Sequence, residues 1–457
     1  MEKISCLLDQ LIRHFKPMLT KALLFLFLSL SLSKNTSAKN REEQLKPLVQ
    51  KAVFALSNVM MHDVVSPVIA SRYYMYCTIG SNAILGYAHT TSVIHPSNYI
   101  SHFPKSIGNH SLKDPSLAAL FSIYETGIGI LPSGMDMILE YKGVKENVLK
   151  LGYSSHEISE ASNVAVQVAK DILKYASQDG YTKLSTFQKY RPKRKDGYWF
   201  PTPPAYMDAV DPYWKTMRTM MIDSVDQFPC KPPIGFDTTT GSKFNQLVNE
   251  VYQIGKFSTN DQKEMAAFWD CNPFVVAISG HMSLGFKKIS PGGHWMNITS
   301  IVSISQQLPY HQMIQALSIE AIVLYDAFIV CWNEKYKTDR ARPETIINKF
   351  IDVKWQPMLQ TPPFPEYTSG HSVISSASAE ILSFLIGENI SFVDDSEVIF
   401  ELPPRTFQSF RHAAEEASIS RLYGGIHFRD AIENGQEQGK KVGKFIIEKI
   451  QKAGFRK

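Results

Sequence analysis

Apolar residues in this chain recur at three- and four-residue steps. Leu45, Leu48, Val49, Ala52, Val53 and Leu56 fall on one helical face. The stretch from Ala161 to Ala176 reads the same way and stops before Gly180, and Gly241 to Ile254 gives another helix. Thr259-x-x-Gln262 is a capping-box signature that opens a helix ending near Asp270. Pro309 suits the first turn of a long helix running to about Glu334. Further helices start near Ser369, Phe407 and Ala431. Two-residue alternation is scarce. Asp196-Gly197 has basic and proline-rich flanks, so it does not read as a hairpin turn between strands. The pattern predicts an all-α protein made of helical bundles.

Composition narrows this only a little. The chain has 457 residues, 44% hydrophobic, 20% charged and 11% aromatic, which excludes a disordered, collagenous or coiled-coil protein. A net charge of +5 is too mild to point to a nucleic-acid partner. At the N-terminus, Lys16 and Lys21 precede an apolar run, 22–33, followed by the small residues Thr36-Ser37-Ala38. That layout reads as a secretory signal peptide over 1–38, with an N-terminal anchor as the alternative, and implies a secreted or periplasmic protein. The rest divides into an N-terminal helical region, 39–255, and a C-terminal helical domain, 256–457. No bundle of long membrane-spanning runs is visible. Ile314 to Val330 is apolar but carries Glu320 and Asp326. Cys77, Cys230, Cys271 and Cys331 are widely spaced, without the pairing of a zinc site or a dense disulfide scaffold, though one or two bridges are possible. The basic and proline-rich stretch 189–204 reads as a solvated interdomain loop, or else as an anion-binding or docking loop.

Candidate chemistry concentrates in the last third. Lys335 and Arg342 are seven residues apart, close to two helical turns, and Pro343 marks a helix end after Arg342. Two cations on one face can clamp an oxyanion, or simply complement a helix dipole. Thr368-Ser369-Gly370-His371 places a hydroxyl, a glycine N–H and an imidazole at a helix start, which suits an anion or an ordinary serine cap. Arg421 and His427 are six apart, with Gly424-Gly425 between them to break the helix and let both converge.

Taken together, Lys-x6-Arg-Pro, then Ser-Gly-His, then Ser-Arg-x5-His resembles the vanadium-dependent haloperoxidases and the related type 2 phosphatidic acid phosphatases. The motifs fall in order over residues 335–427. The resemblance implies an anion site in a C-terminal helical bundle. Lys335, Arg342 and Arg421 would bind the oxygens of vanadate or phosphate, with Ser369 and the Gly370 N–H adding hydrogen bonds. His427 would ligate vanadium, or attack phosphorus in a phosphatase, and His371 would be the acid–base residue. In the peroxidase reading vanadate is the cofactor, and hydrogen peroxide and halide are the partners. The alternative is a secreted phosphomonoesterase acting on a phosphate ester through a phosphohistidine. A non-enzymatic oxyanion binder is a third reading.

Trp332 and Phe364 stand where aromatic residues line the halide pocket in chloroperoxidase-type members, and the run PPFPEYTSGH also resembles that branch. Both could equally be core aromatics. Trp269-Asp270 and Gly292-Gly293-His294-Trp295 resemble segments of bacterial relatives. Asp270 is expected to orient His371, and His294 to sit at the pocket rim or to be structural. His281 echoes the Ser-Gly-His triplet as a rim residue or a coincidence. The chain departs from the superfamily pattern at Thr368, where proline is usual, and at Ala431, where the phosphatases carry an aspartate. Asp430 or Glu433 is the expected substitute for that carboxylate.

Overall fold

The computed structural model describes residues 41–279, 282–285 and 287–455. The expected signal peptide and His281 lie outside them. Among the described residues helices dominate, as the apolar periodicity predicts. α1 spans 41–62, followed by α2 (Pro67–Ala88), α3 (Pro115–Ile130), α4 (Met137–Lys150) and α5 (Ser155–Ala176). A long connection with little regular structure leads to α6 (Lys243–Phe257) and α7 (Asn260–Phe268), the latter opened by the capping box at Thr259 and Gln262. The C-terminal helices are α8 (Pro291–Ser305), α9 (Tyr310–Thr338), α10 (Pro343–Phe350), α11 (Gly370–Leu385), α12 (Phe410–Tyr423) and α13 (Arg429–Lys452). Two short antiparallel hairpins interrupt them: β1 (Val276–Ser279) with β2 (Met282–Gly285), and β3 (Phe392–Asp394) with β4 (Arg405–Phe407). Each has strands of three or four residues, too short for alternation to stand out in the sequence.

One hydrophobic cluster runs from Leu45 to Ile450 and joins helices on both sides of residue 255. α9 lies at its centre. It is long and apolar enough to cross a membrane by composition, yet its most apolar window is wholly buried inside the protein. Two of its acids meet partners on other segments, Asp326 through both oxygens and Glu320 through one, its Oε2 having no partner among the described residues. Asp326 accepts the backbone N–H groups of Met220, Met221 and Ile222 at 2.7–3.1 Å, and Glu320 accepts from the Ser378 hydroxyl. Asp326 thereby ties the irregular connection to the core helix.

The pair that places the site is α11 against α13. Gly435, Gly439 and Gly443 fall on one face of α13 at four-residue spacing. A Cβ on Gly439 would lie 2.1 Å from the Val373 carbonyl oxygen, and one on Gly443 would lie 2.9 Å from that of Ala377. Only glycine permits this approach, which sets the start of α11 beside the start of α13. All four described cysteines are free thiols, so the bridges considered from the sequence are not formed. The basic stretch is not a free loop. Trp199 is buried, its N–H bonds the Asp339 carbonyl, and Tyr198 bridges Arg340. Lys193 and Tyr190 both reach the Asp339 carboxylate. The segment straps the chain that leads into Arg342.

Candidate active site

Four elements converge on one cavity. The last two turns of α9 carry Trp332 and Lys335. Arg342 is the N-cap of α10, in the extended conformation that the following proline favours. Ser369 caps α11, its Oγ accepting from Ser372 N, so the Gly370 and His371 N–H groups occupy the free first turn. Arg421 sits in the last turn of α12, and the Gly424-Gly425 break, with Gly425 at φ 77°, turns the chain so that His427 comes back beside it. The cavity, about 40 Å³, has Gly370, His371, Arg421 and His427 in its wall, with Trp332, Phe364 and Phe328 as the apolar side. On the measure by which one water needs roughly 10–15 Å³, this holds about three.

Lys335 and Arg342 stand behind the wall. Lys335 Nζ donates to the carbonyls of Pro365, Glu366 and Thr368 at 3.1, 3.1 and 2.6 Å. Arg342 donates to the carbonyls of Phe364 and Ile426, and its Nη1 lies 3.1 Å from His427 Nε2. Both cations also lie over the Phe364 ring, at 5.2 and 5.1 Å from its centroid. Arg421 is held by Ser420 Oγ and the Ala266 carbonyl. Trp332 and Phe364 therefore line the cavity and support the cations at once, their ring centroids 4.9 Å apart.

All three cations are buried, and among the described residues none has a carboxylate hydrogen-bonded to it. Burial pulls Lys335 down to about 7 and Arg342 to about 10, and lowers Arg421 despite the nearby Asp270. Burial also holds His427 and His371 well below the ordinary histidine range. Arg342 and Lys335 reinforce this at His427, as do Arg421 and His427 at His371. At this site Arg342 Nη2 and His371 Nε2 are buried and lack partners among the described residues. Cationic, donor-rich and unsatisfied, the site suits a tetrahedral oxyanion. A Cβ on Gly370 would lie 3.7 Å from the Trp332 ring, so glycine keeps this approach open.

This arrangement makes anion binding proton-linked. An oxyanion among the cations favours charged Lys335, so binding takes up a proton when the pH lies above about 7. Sulfate, whose own charge is constant in this range, is expected to bind progressively more weakly as pH rises above 7, by up to about tenfold per pH unit. Calorimetry in two buffers of different ionisation enthalpy measures the uptake. Equal affinity at pH 6 and 9 would show that Lys335 stays charged in the empty site. The same shift has a consequence for stability. The unfolded lysine binds more protons than the folded one between about 7 and 10.5, so its contribution to apo stability rises with pH over that window.

The carboxylate on His427 is Glu366, which sequence reasoning missed. Its Oε1 accepts from His427 Nδ1 at 2.8 Å and from Phe428 N at 3.0 Å, and its Oε2 accepts from Arg340 Nε at 2.6 Å. Neither expected substitute takes that place. Asp430 forms a bidentate pair with Arg340 at 2.7 and 2.8 Å, one residue further out in the network. Glu433 is exposed and lies 3.9 Å from Arg429. The expectation failed because it looked for the carboxylate by spacing after the histidine, whereas the fold delivers one from the loop before α11. The signal lay in PPFPEYTSGH, a lone acid in a proline-rich, apolar run.

Asp270 also differs from expectation, and of the two readings of His294 the rim position is not the one observed. His371 hydrogen-bonds the Trp269 backbone, not the Asp270 carboxylate. Asp270 is buried near Arg421 and Lys288, and burial raises its pKa against both cations. His294 is fully buried, with Nε2 2.7 Å from Asp394 and its ring stacked on Trp269 at 4.6 Å. It is absent from the cavity wall.

Comparison with known proteins bears on what this geometry serves. The family model of the VCPO second helical-bundle domain matches residues 315–454. A bacterial vanadium-dependent iodoperoxidase of known structure is 35% identical, with a TM-score of 0.81 over 88% of this chain and 96% of that one. Two structures of bacterial vanadium-dependent chloroperoxidase, holo-type and apo-type, share the fold at 14% and 15% identity. Their TM-scores are 0.63 and 0.65, over 86% and 85% of this chain and 93% and 95% of theirs. No curated protein sequence matches.

Proposed function

We propose, on the premise that this chain belongs to the vanadium-dependent haloperoxidases, that the cavity beneath α11 and α12 is its active site. The protein is a peroxidase that oxidises halide with hydrogen peroxide to hypohalous acid, with vanadate as cofactor. The observation that carries the residue assignment is one small cavity lined by Arg421 and two neutral histidines, with the buried cations Lys335 and Arg342 directly behind its wall and buried polar atoms left unpartnered. The donor set fits vanadate. Lys335, Arg342 and Arg421 would offset its charge, the Gly370 N–H and Ser369 would add donors, and His427 Nε2 would ligate the metal. When bound, vanadate supplies a Lewis acid that polarises peroxide without changing oxidation state.

The chain's own groups do the rest. Glu366 accepts the Nδ1 proton of His427, which leaves Nε2 unprotonated, with Arg342 Nη1 3.1 Å away and its lone pair available to a ligand that displaces that contact. His371 is neutral, because burial and its cationic neighbours disfavour the charged ring. Its bond to the Trp269 backbone leaves the unpartnered Nε2 free to accept a proton from peroxide and return it to the product. Trp332, Phe364 and Phe328 exclude bulk water and offer a polarisable apolar wall to a large anion. We assign iodide as the preferred halide, supported by the 35% identity to an iodoperoxidase. The run PPFPEYTSGH, which resembles the chloroperoxidase branch, makes chloride the competing choice.

The deciding experiment is halide oxidation by purified protein before and after vanadate loading, with p-nitrophenyl phosphate given to the apo protein. Vanadate-dependent turnover, fastest with iodide, is expected. Phosphate ester hydrolysis by the apo protein, with vanadate acting only as inhibitor, would overturn the assignment. His371→Ala is expected to retain vanadate while losing about 10²–10⁴-fold in kcat. Full activity in that variant would remove His371 from the proton step. We further propose that residues 1–38 direct export, which an N-terminus near Lys39 in the secreted protein would support.

A further inference from the structure

A second cluster of ligating side chains adjoins the cavity through Cys271 and extends away from it, and halide oxidation makes no use of it. Cys271 comes from the loop after α7, His294 from the first turn of α8, and Glu397 from the turn after β3. Cys271 Sγ stands 3.5 Å from His294 Nδ1, and Glu397 Oε1 stands 3.4 Å from the same nitrogen. All three donor atoms lie within 4.8 Å of one another, and all three residues are buried. The far nitrogen of His294 is fixed by Asp394, 2.7 Å away, whose other oxygen accepts from Ser396 N at 3.0 Å. Neither carboxylate oxygen of Glu397 has a hydrogen-bond partner among the described residues. A fully buried carboxylate with both oxygens unsatisfied is a costly arrangement, which calls for a positively charged occupant.

We propose that Cys271, His294 and Glu397 bind a zinc ion, separate from the vanadate site, with water in the fourth position. The separations support this metal. Tetrahedral zinc with bonds of roughly 2.3 Å to sulfur and roughly 2.0–2.2 Å to nitrogen and oxygen sets its S···N edge near ~3.5 Å and its N···O edge near ~3.4 Å. Asp394 on the distal nitrogen completes a carboxylate–histidine–metal relay, which leaves the Nδ1 lone pair pointing at the other two ligands. Binding forms S–Zn, N–Zn and O–Zn bonds and releases the thiol proton, with any imidazolium proton, to solvent.

The rival occupant is a proton. Burial disfavours charge on His294, but Asp394 outweighs it and raises the pKa, so an imidazolium between two carboxylates is the metal-free alternative. The location gives the ion a purpose. Trp269 stacks on His294 and its backbone holds His371, while Cys271 and Asn272 line the oxyanion cavity. A metal here would brace the wall that positions the proton-transfer histidine.

The test is metal analysis of the full chain, produced with zinc supplied and passed through gel filtration, combined with zinc-edge X-ray absorption. About one zinc per chain is expected, with one sulfur neighbour at about 2.3 Å. Cys271→Ser and Glu397→Gln should each lose most of that zinc. Should either variant fail to fold, the sulfur shell in the unaltered protein still decides the matter. Substoichiometric zinc in the unaltered protein, a nitrogen- and oxygen-only shell, or undiminished zinc in both variants would each overturn the proposal and leave the imidazolium as occupant.

Discussion

Glu366→Gln is expected to reduce vanadate affinity and halide turnover by about 10²-fold or more while leaving the fold intact. Replacing a group that orients a metal-bound histidine usually costs about 10–100-fold. Here the tautomer is also at stake. The native carboxylate accepts on both oxygens, from His427 Nδ1 and Phe428 N on one side and from Arg340 Nε on the other. A glutamine must turn its NH₂ toward one of them. Turned toward Arg340 it meets a buried guanidinium, donor against donor. Turned toward His427 it forces Nδ1 to accept and moves the ring proton to Nε2, the atom meant for the metal. Arg340 keeps both bonds to Asp430 in either case, so the network loses one member rather than collapsing. Nitrogen NMR of the His427 ring, read beside vanadate retention, separates the cases. Unchanged affinity with an unchanged Nδ1–H tautomer would remove Glu366 from the site's working parts.

His427→Ala is expected to abolish retained vanadate and to bring halide oxidation to the background rate. Removing the ligand itself must exceed the roughly 10–100-fold attached to its orienting partner. Sulfate binding should survive, within about tenfold, because Lys335, Arg342 and Arg421 are held by backbone carbonyls and Ser420 rather than by the imidazole alone. The contrast between the two anions is the informative result. Equal loss of both would mean that His427 supports the cationic clamp, through its contact with Arg342 Nη1, and does not ligate. Equilibrium dialysis of the variant with each anion distinguishes these outcomes.

The Glu366 geometry also changes how the two superfamily chemistries are told apart. Read from the sequence alone, Ala431 in place of the phosphatases' aspartate leaves a nucleophilic His427 without its orienting carboxylate, an objection to a phosphatase. With Glu366 on Nδ1 that objection disappears, since a nucleophilic histidine would be equally well oriented. The peroxidase assignment rests instead on likeness along nearly the whole chain.

The sequence by itself determined the helical class, the capping box at Thr259, the starts of α11 and α13 to within a few residues, and three motifs whose side chains meet in space. Those features are local. Apolar periodicity, a cap and a proline act over one or two turns, so neighbouring residues suffice to read them. It also carried the candidate cations and histidines through the order of the three motifs, although Lys335 and Arg342 do not share a helical face as their spacing suggests: α9 ends at Thr338 and Arg342 is the extended N-cap of α10.

Only the tertiary structure decided which carboxylate serves His427, which backbone group holds His371, and that residues 271, 294 and 397 form one cluster. It turned the basic stretch 189–204 from a loop into a strap over Arg340, and it placed one core across residue 255. The residue pairs that make these contacts include separations from 23 to 142 residues. Such contacts depend on how closely α11 and α13 approach and on where a chain without secondary structure is laid down. Both follow from the packing of the whole core, to which no single segment holds the key.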